Sequence, residues 1–499
     1  MNASTVLLDR DDVPEHVRSL SSPRVIAVEN LLVKRFSARG NVGGRPASLP
    51  TRVGVDLATE QIAAAAHLAG SARLVVVEGA AGSGKTATLA AAGAAMRAKR
   101  RRMLVVSPTL KAAKVAADQV GAASQSAAWL VRQHGYRWDD HGHWWLVDTV
   151  PTPAARLRRG DLLVVDEAGM LDQDTAMALL QVADMAGARL ALVGDRHQLP
   201  AVGRGGVLDL AARYATACVD LDGVRRFRDP SYADLTLRMR SGERPEAVFD
   251  ELLARGQVII HPSEVERLAA LASLASDGTA VITDTRDAAQ RINTMAHHTN
   301  PPARRSSRDL VTDGGERISV GDTIATLRND PDADVANRET WTVIAIGRHG
   351  LTIAGEAGRR HLPMSYARQA VELAYATTAY GIQGATVPTA HVLIGHHSSA
   401  ASAYVAMTRG RHVNVAHLVA DSFDDARQQW IDVFDRDRAD LGPALSTQRA
   451  AEEIERFGPI GKPRYTSSRR RTSRAPNVPD HDVRLISTQS PSRDSGLGL

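Results

Sequence analysis

"VVVEGAAGSGKTAT", residues 75–88, is an apolar, β-branched run that breaks into glycines and ends in Lys-Thr. Residues Gly79 to Thr86 fit G-x-x-x-x-G-K-[ST] in full, between a strand signal and a helix signal. In that context the motif is a phosphate cradle. Gly79, Ala80, Ala81, Gly82, Ser83 and Gly84 turn backbone N–H groups inward, and the start of the following helix adds positive partial charge. Lys85 is the candidate for the β- and γ-phosphates and Thr86 for a magnesium ion, with Thr88 counted in the same nucleotide site. A glycine-rich turn of no function is the competing reading, and the strand and helix on either side argue against it. The loop by itself fits a kinase, a switch, a transporter or a motor.

The stretches that follow narrow the choice. "LLVVDEAGML", residues 162–171, ends an apolar run in Asp166 and Glu167. The first acid suits a magnesium ion and the second suits a water poised for in-line attack, so the pair points to hydrolysis. Alone, two acids at a strand end are simply solvated. "LALVGDRHQLPAVGRGG", residues 190–206, sets Asp195 and Gln198 just beyond another strand, where an amide can sense the γ-phosphate. "DLATEQIAAA", residues 56–65, puts Gln61 on a helix ahead of the loop, where its amide could read adenine. "VVSPTLKAA", residues 105–113, puts Thr109 at a strand-to-helix turn, where hydroxyl and backbone N–H groups suit a nucleic-acid phosphate. "YATTAYGIQGATV" (375–387) and "YVAMTRGRHVN" (404–414) lie far downstream and carry Thr377, Thr378, Gln383 and Arg409. Each is weak alone and is as easily a set of loop polar residues.

In this order the set resembles the superfamily 1 helicases, specifically the RecD-like branch, and within it the helicase half of conjugative relaxases of the TraA/TraI type. The resemblance runs from about Ser22 to Val419. It implies two RecA-like domains in tandem, ATP and Mg²⁺ as cofactors, and 5′-to-3′ travel on DNA. By that likeness Gln61 is the adenine-reading glutamine, and Asp166 and Glu167 are the metal-binding and water-activating acids. Gln198 is the γ-phosphate sensor, Arg226 (or its neighbour Arg225) the first arginine finger, and Arg409 the second. Gln383 belongs to the nucleotide site, and Thr109, Lys111, Thr377 and Thr378 to the DNA path. Partners would be single-stranded DNA, its junctions with duplex, and relaxase, conjugation or repair proteins. Tyr380 departs from the pattern, since many relatives have histidine there. Only sixty residues precede Gln61, and His297-His298 and His396-His397 read as surface or loop histidines without a tyrosine pair. A helicase without a nicking domain is therefore expected. The competing reading from another class is an ATP-gated DNA-binding or assembly ATPase that does not unwind.

The chain as a whole agrees with an α/β enzyme. Its 499 residues exceed one core. Strand runs at Leu74–Val77, Met103–Val106, Leu162–Val165 and Leu190–Val193 alternate with Ala-rich helical segments, which implies a mostly parallel sheet. The expected division is residues 1–50 as an N-terminal arm and linker, then 51–220 as the first P-loop domain, with a small β-hairpin insertion at about 121–160. Residues 221–445 form the second domain, with an SH3-like β-barrel insertion at about 310–365, and 446–499 a helical end and disordered basic tail. Of Trp138, Trp144 and Trp145, most are expected to pack the first insertion rather than split strands. From residue 459 onward, eight basic and three acidic side chains hold the whole net charge of +5, so the body is formally neutral. One cysteine, Cys218, excludes an internal disulfide, and no apolar run is long enough for a membrane span. With no secretory h-region at the start, the reading is of a cytoplasmic protein.

Overall fold

The computed structural model describes residues 5–6, 20–21, 23–49, 57–139, 143–221, 223–224, 226–275, 278–299, 309–356 and 358–436. The whole of the expected helical end and basic tail at 446–499, Arg225, and residues 140–142 of the hairpin insertion lie outside the described residues.

Six parallel strands form the first sheet, in the order Ala217–Leu221, Leu74–Gly79, Arg189–Gly194, Leu162–Asp166, Met103–Ser107, Ala123–Ser126. The four apolar runs read from the sequence are its four central strands. Both faces of these strands are covered, so the runs are apolar throughout rather than alternating. Leu74, Val76, Leu104, Val106, Leu163 and Val165 face one core, and Val75, Val77, Met103, Val105, Leu162 and Val164 face the other. Each such side chain contributes about 1.5–3 kcal/mol on burial.

Two regions differ from the expectation. The stretch from residue 121 does not leave the sheet at once. "ASQS", Ala123–Ser126, adds the edge strand beside Met103–Ser107, and the helix Ala127–Gln133 follows. Only then comes the antiparallel pair Tyr136–Trp138 and Trp144–Leu146. A polar edge strand carries no apolar run, and that hid it. Within the hairpin, Trp138 and Trp144 stack with ring centroids 4.9 Å apart, and Trp138 and Trp145 are exposed to a like extent, 36% and 37%. At the N-terminal side, Pro23–Gly40 is an 18-residue helix, longer than the short helix that "VIAVENLLVKRFSA" suggests within the expected arm. It buries Val28, Leu32 and Phe36 in the first core, and its Arg39 pairs with Asp184 at 2.6 Å.

A second sheet holds five parallel strands, in the order Val258–His261, Gly410–Val419, Val387–Leu393, Thr279–Thr283, Ala376–Thr378. Between its strands Thr279–Thr283 and Ala376–Thr378 the chain makes a separate five-stranded antiparallel sheet within residues 323–373, preceded by the short ladder of Leu310–Val311 with Arg317–Ile318. This insertion extends past residue 365, because Val371–Leu373 pairs with Thr323–Thr326. Its pairing order, from Gly358–Pro363 to Val371–Leu373, is open-ended among the described residues. Of the two histidine pairs, His396 and His397 are exposed in a turn. His297 instead ends the helix Arg286–Thr299 and bonds Asp322 at 3.1 Å.

Three imidazoles cross the second sheet in a chain. His417 Nδ1 meets His261 Nε2 at 2.9 Å, and His417 Nε2 meets His391 Nδ1 at 2.9 Å. Burial, with His391, His261 and Arg267 close by, pushes the His417 imidazole down to about 3, and burial lowers His261 and His391 too. A folded value below that of the unfolded chain favours the neutral ring. Its contribution is full above about pH 6.5 and is lost as the pH falls toward 3, at up to about 1.4 kcal/mol per pH unit for one group. Thermal unfolding between pH 7 and pH 5 should therefore show falling stability. His417→Leu should be less stable at pH 7 and distinctly less sensitive to acid. An unchanged acid slope in that variant would remove His417 as the cause.

Candidate active site

Parallel strands release their chains at one edge of the sheet, and the motifs of the first lobe leave from that edge, except that of Gln61, which lies on the helix Thr59–Leu68 ahead of the sheet. The loop 80–84 follows Leu74–Gly79, Thr109 follows Met103–Ser107, Glu167 follows Leu162–Asp166, and Asp195 and Gln198 follow Arg189–Gly194. The loop opens the helix Lys85–Ala98 with Gly84 as its N-cap. Gly82 and Gly84 take φ of +85° and +84°, where a side chain is strained. Space closes both positions as well. A Cβ at Gly82 would lie 2.3 Å from Cβ of Arg226, and one at Gly84 would lie 2.1 Å from Nε2 of Gln61.

Lys85 Nζ donates to the carbonyls of Gly79 at 2.6 Å and Ala80 at 3.3 Å, folded back along the loop it would serve. Gln61 is buried against the loop. Its Nε2 donates to the Ser83 carbonyl at 2.9 Å, and its Oε1 accepts from the Ala58 N–H at the helix start. Thr86 is half-buried in the first helical turn. Thr88 is buried and donates to the Gly84 carbonyl at 3.1 Å, so its hydroxyl is spent within the helix. The Ser83 hydroxyl is buried without a hydrogen-bond partner, a polar atom facing the cradle and left for a ligand to satisfy.

Asp166 and Glu167 stand side by side, with Glu167 in the left-handed region at φ +55°. Burial first, and then the charge of Glu167, push the Asp166 carboxyl well above the usual carboxylate range, while Lys85 acts the other way. Two crowded acids with one lysine call for further positive charge. A divalent cation held by Asp166 and Thr86 would supply it, and a triphosphate in the cradle would complete its shell.

From the second lobe come the arginines. Arg409 is 2% exposed, and its Nε donates to the Val405 carbonyl at 2.8 Å. Burial and Arg226 lower the Arg409 guanidinium to about 9, against the attraction of Glu167, Tyr404 and Asp195. Arg226 lies on Gly82 and donates from Nη1 to the Thr408 carbonyl at 2.8 Å. Gln198 and Gln383 are both buried and approach across the cleft, with Nε2 of Gln383 at 3.5 Å from Oε1 of Gln198, the limit of a hydrogen bond. The Tyr380 hydroxyl, where a histidine was the alternative, donates to the Pro200 carbonyl of the first lobe at 3.3 Å.

The candidate DNA residues do not form one surface. Thr109 is exposed and caps its helix by accepting from the Ala112 N–H. Thr377 and Thr378 line a cavity of about 270 Å³ with Arg286, Arg338 and Arg368, between the second sheet and its insertion. Lys111 turns inward instead. Its Nζ donates at 3.1 Å to the carbonyls of both Arg338 and Gly381, and burial lowers its ammonium. Lys114 beside it pairs with Glu339 and Asp334 at 3.3 Å. These lysines fasten the insertion and second lobe to the first.

Sequence reading missed Tyr404 and Arg240 as parts of this cleft. Tyr404 stands in a quoted motif, "YVAMTRGR", and that was the available signal. Arg240 lies in a helix with no motif.

Residues 56–263 match the family described as AAA domain. The probable conjugal transfer protein TraA of Sinorhizobium fredii is 29% identical over 389 residues, covering 74% of this chain and 33% of that protein. The RecBCD enzyme subunit RecD of Mycolicibacterium smegmatis is 29% identical over 333 residues, covering 60% of each. Among solved structures, Bacteroides Pif1 bound to ssDNA shares the fold, with a TM-score of 0.52 at 17% identity over 75% of this chain and 94% of that one. The chain is therefore similar to TraA and RecD in sequence and to Pif1 in fold. It spans about a third of the length of the TraA proteins it matches.

Lys111 carries a direct test. Lys111→Met leaves two interlobe carbonyls without their donor, at a cost of about 1 kcal/mol or more. Melting temperature should fall, while the log–log salt slope of single-stranded DNA binding should stay within error. Loss of one phosphate contact would instead flatten that slope by about 0.7.

Proposed function

We propose that the protein is an ATP-dependent DNA helicase or translocase. In this reading the two parallel-sheet lobes are RecA-like, the insertion of the second is SH3-like, and hydrolysis drives travel along single-stranded DNA in the 5′-to-3′ direction. One observation carries the reading. Arg226 and Arg409, held by one backbone segment of the second lobe, converge on the phosphate loop and the Asp166–Glu167 pair of the first. A simple ATPase needs no such second lobe. A motor does, because closure that completes the site and opening that dismantles it alternate the grip on DNA.

The roles follow from the placement. Lys85 and the loop amides other than that of Ala81, which donates to Tyr404, would hold the triphosphate, and Thr86 and Asp166 would hold Mg²⁺, which would supply charge neutralisation at the phosphates. Glu167 orients and deprotonates the attacking water. Gln198 and Gln383, meeting edge to edge, report the γ-phosphate from one lobe to the other. The two arginines stabilise the charge that develops on the transferred group. The 270 Å³ cavity sets Thr377 and Thr378 beside Arg286 and Arg368, which suits a phosphodiester backbone, although Glu316 and the Arg338–Glu372 ion pair line it too. The exposed Trp145 on its hairpin suits a base at a junction of single and double strands. That TraA and RecD are conjugation and RecBCD proteins by name makes those settings the natural partners to examine.

Magnesium-dependent ATPase activity should rise with single-stranded DNA. Lys85→Ala and Glu167→Gln should abolish it, the latter while still binding ATP. Arg226→Ala and Arg409→Ala should each lower kcat by about 10³ or more and leave nucleotide affinity within a small factor. Full turnover by Glu167→Gln, or weakened ATP binding with normal kcat in an arginine variant, would reject the corresponding role.

A further inference from the structure

A buried polar chain crosses the cleft next to these arginines. The N–H of Ala81, in the phosphate loop, donates to the Tyr404 hydroxyl at 3.0 Å. That hydroxyl donates to Oδ2 of Asp195 at 3.0 Å. The other oxygen, Oδ1, accepts from Nε of Arg240 at 2.9 Å and from the His197 N–H at 3.1 Å. The direction of the chain is fixed. An amide can only donate, an ionised carboxylate can only accept, and the hydroxyl must do one of each. Ala81, Tyr404 and Asp195 are 3%, 1% and 1% exposed, so water does not compete.

Tyr404 also begins a short splint. It lies on the helix Ala400–Ala406. The carbonyl of the next residue, Val405, holds Nε of Arg409. The Thr408 carbonyl holds Arg226, and the Met407 carbonyl accepts from the Tyr232 hydroxyl at 2.7 Å. Both arginines thus hang from the backbone of residues 405–408, and Tyr404 is the point where that backbone is pinned to the phosphate loop.

We infer that Tyr404 is a positioning residue, whose hydroxyl docks the second lobe on the Ala81 amide and Asp195 and so sets the register of Arg409 and Arg226 against the nucleotide. The role rests on the ATP-hydrolysing reading above. It is distinct from that reading because it concerns a contact between the lobes that touches no reacting atom.

The test is Tyr404→Phe, which keeps the ring and removes only the hydroxyl. Its KM for ATP should stay within about threefold while kcat falls about tenfold or more. In an Arg409→Ala background the same change should cost distinctly less kcat, because one of the two arginines whose register it sets is gone. Amide exchange read at Ala81 should be slow in the wild type and about tenfold faster in Tyr404→Phe. Normal kcat in Tyr404→Phe, or an equal loss of kcat with and without Arg409, would overturn the role. So would an unprotected Ala81 amide in the wild-type protein, a measurement that stands even if the variant folds poorly. A wild-type protein with no ATPase activity would instead defeat the motor reading and the registering role together. The exchange result separates that case from failure of the tether alone.

Discussion

The constraint on which this molecule depends is that all strands of each main sheet run the same way. A parallel strand must be followed by a crossover, so the chain leaves every strand at the same edge. The phosphate loop, Thr109, Glu167, Asp195 and Gln198 are gathered there although they span residues 79–198 of the chain. The two apolar layers on either face of the first sheet exist to hold that edge still. Nothing in the site itself is apolar enough to do so.

The second lobe meets this edge through polar contacts set in an apolar surround. Ala81 and Leu199 of the first lobe belong to the same buried cluster as Tyr232, Tyr404 and Met407 of the second. Inside that dry patch a hydrogen bond is strong and its loss is costly. The lobes are therefore held in a definite register where the arginines enter, and more loosely at Lys111 and Lys114, where the insertion rests on the first lobe. Burial depresses both Arg226 and Arg409, which raises the value of an arriving negative charge to each. A triphosphate is such a charge, and in this way closure and binding support one another.

Much of this was legible in the sequence, and the reason is physical. Four buried central strands are necessarily unbroken apolar runs, and a phosphate loop needs glycines at fixed spacing with Lys-Thr after them. Ala123–Ser126 was hidden because an edge strand needs no apolar run. The helix Pro23–Gly40 was only half seen, since its short core stripe of Val28, Leu32 and Phe36 is flanked by many charges. Lys111 was assigned to the DNA path by resemblance, and only the fold shows that the carbonyls of Arg338 and Gly381 take its ammonium. Tyr404 was invisible as a contact because its partners Ala81 and Asp195 are hundreds of residues away and one of them is a backbone amide.

The central claim, that ATP hydrolysis is turned into movement on DNA, is tested most directly by strand displacement. Duplexes carrying a single-stranded tail on either the 5′ or the 3′ end would be incubated with the full chain, ATP and Mg²⁺. The account predicts ATP-dependent displacement from the 5′-tailed substrate, absent with Glu167→Gln. DNA-stimulated ATP turnover with no displacement of either substrate would contradict it and describe an ATP-gated DNA-binding protein instead.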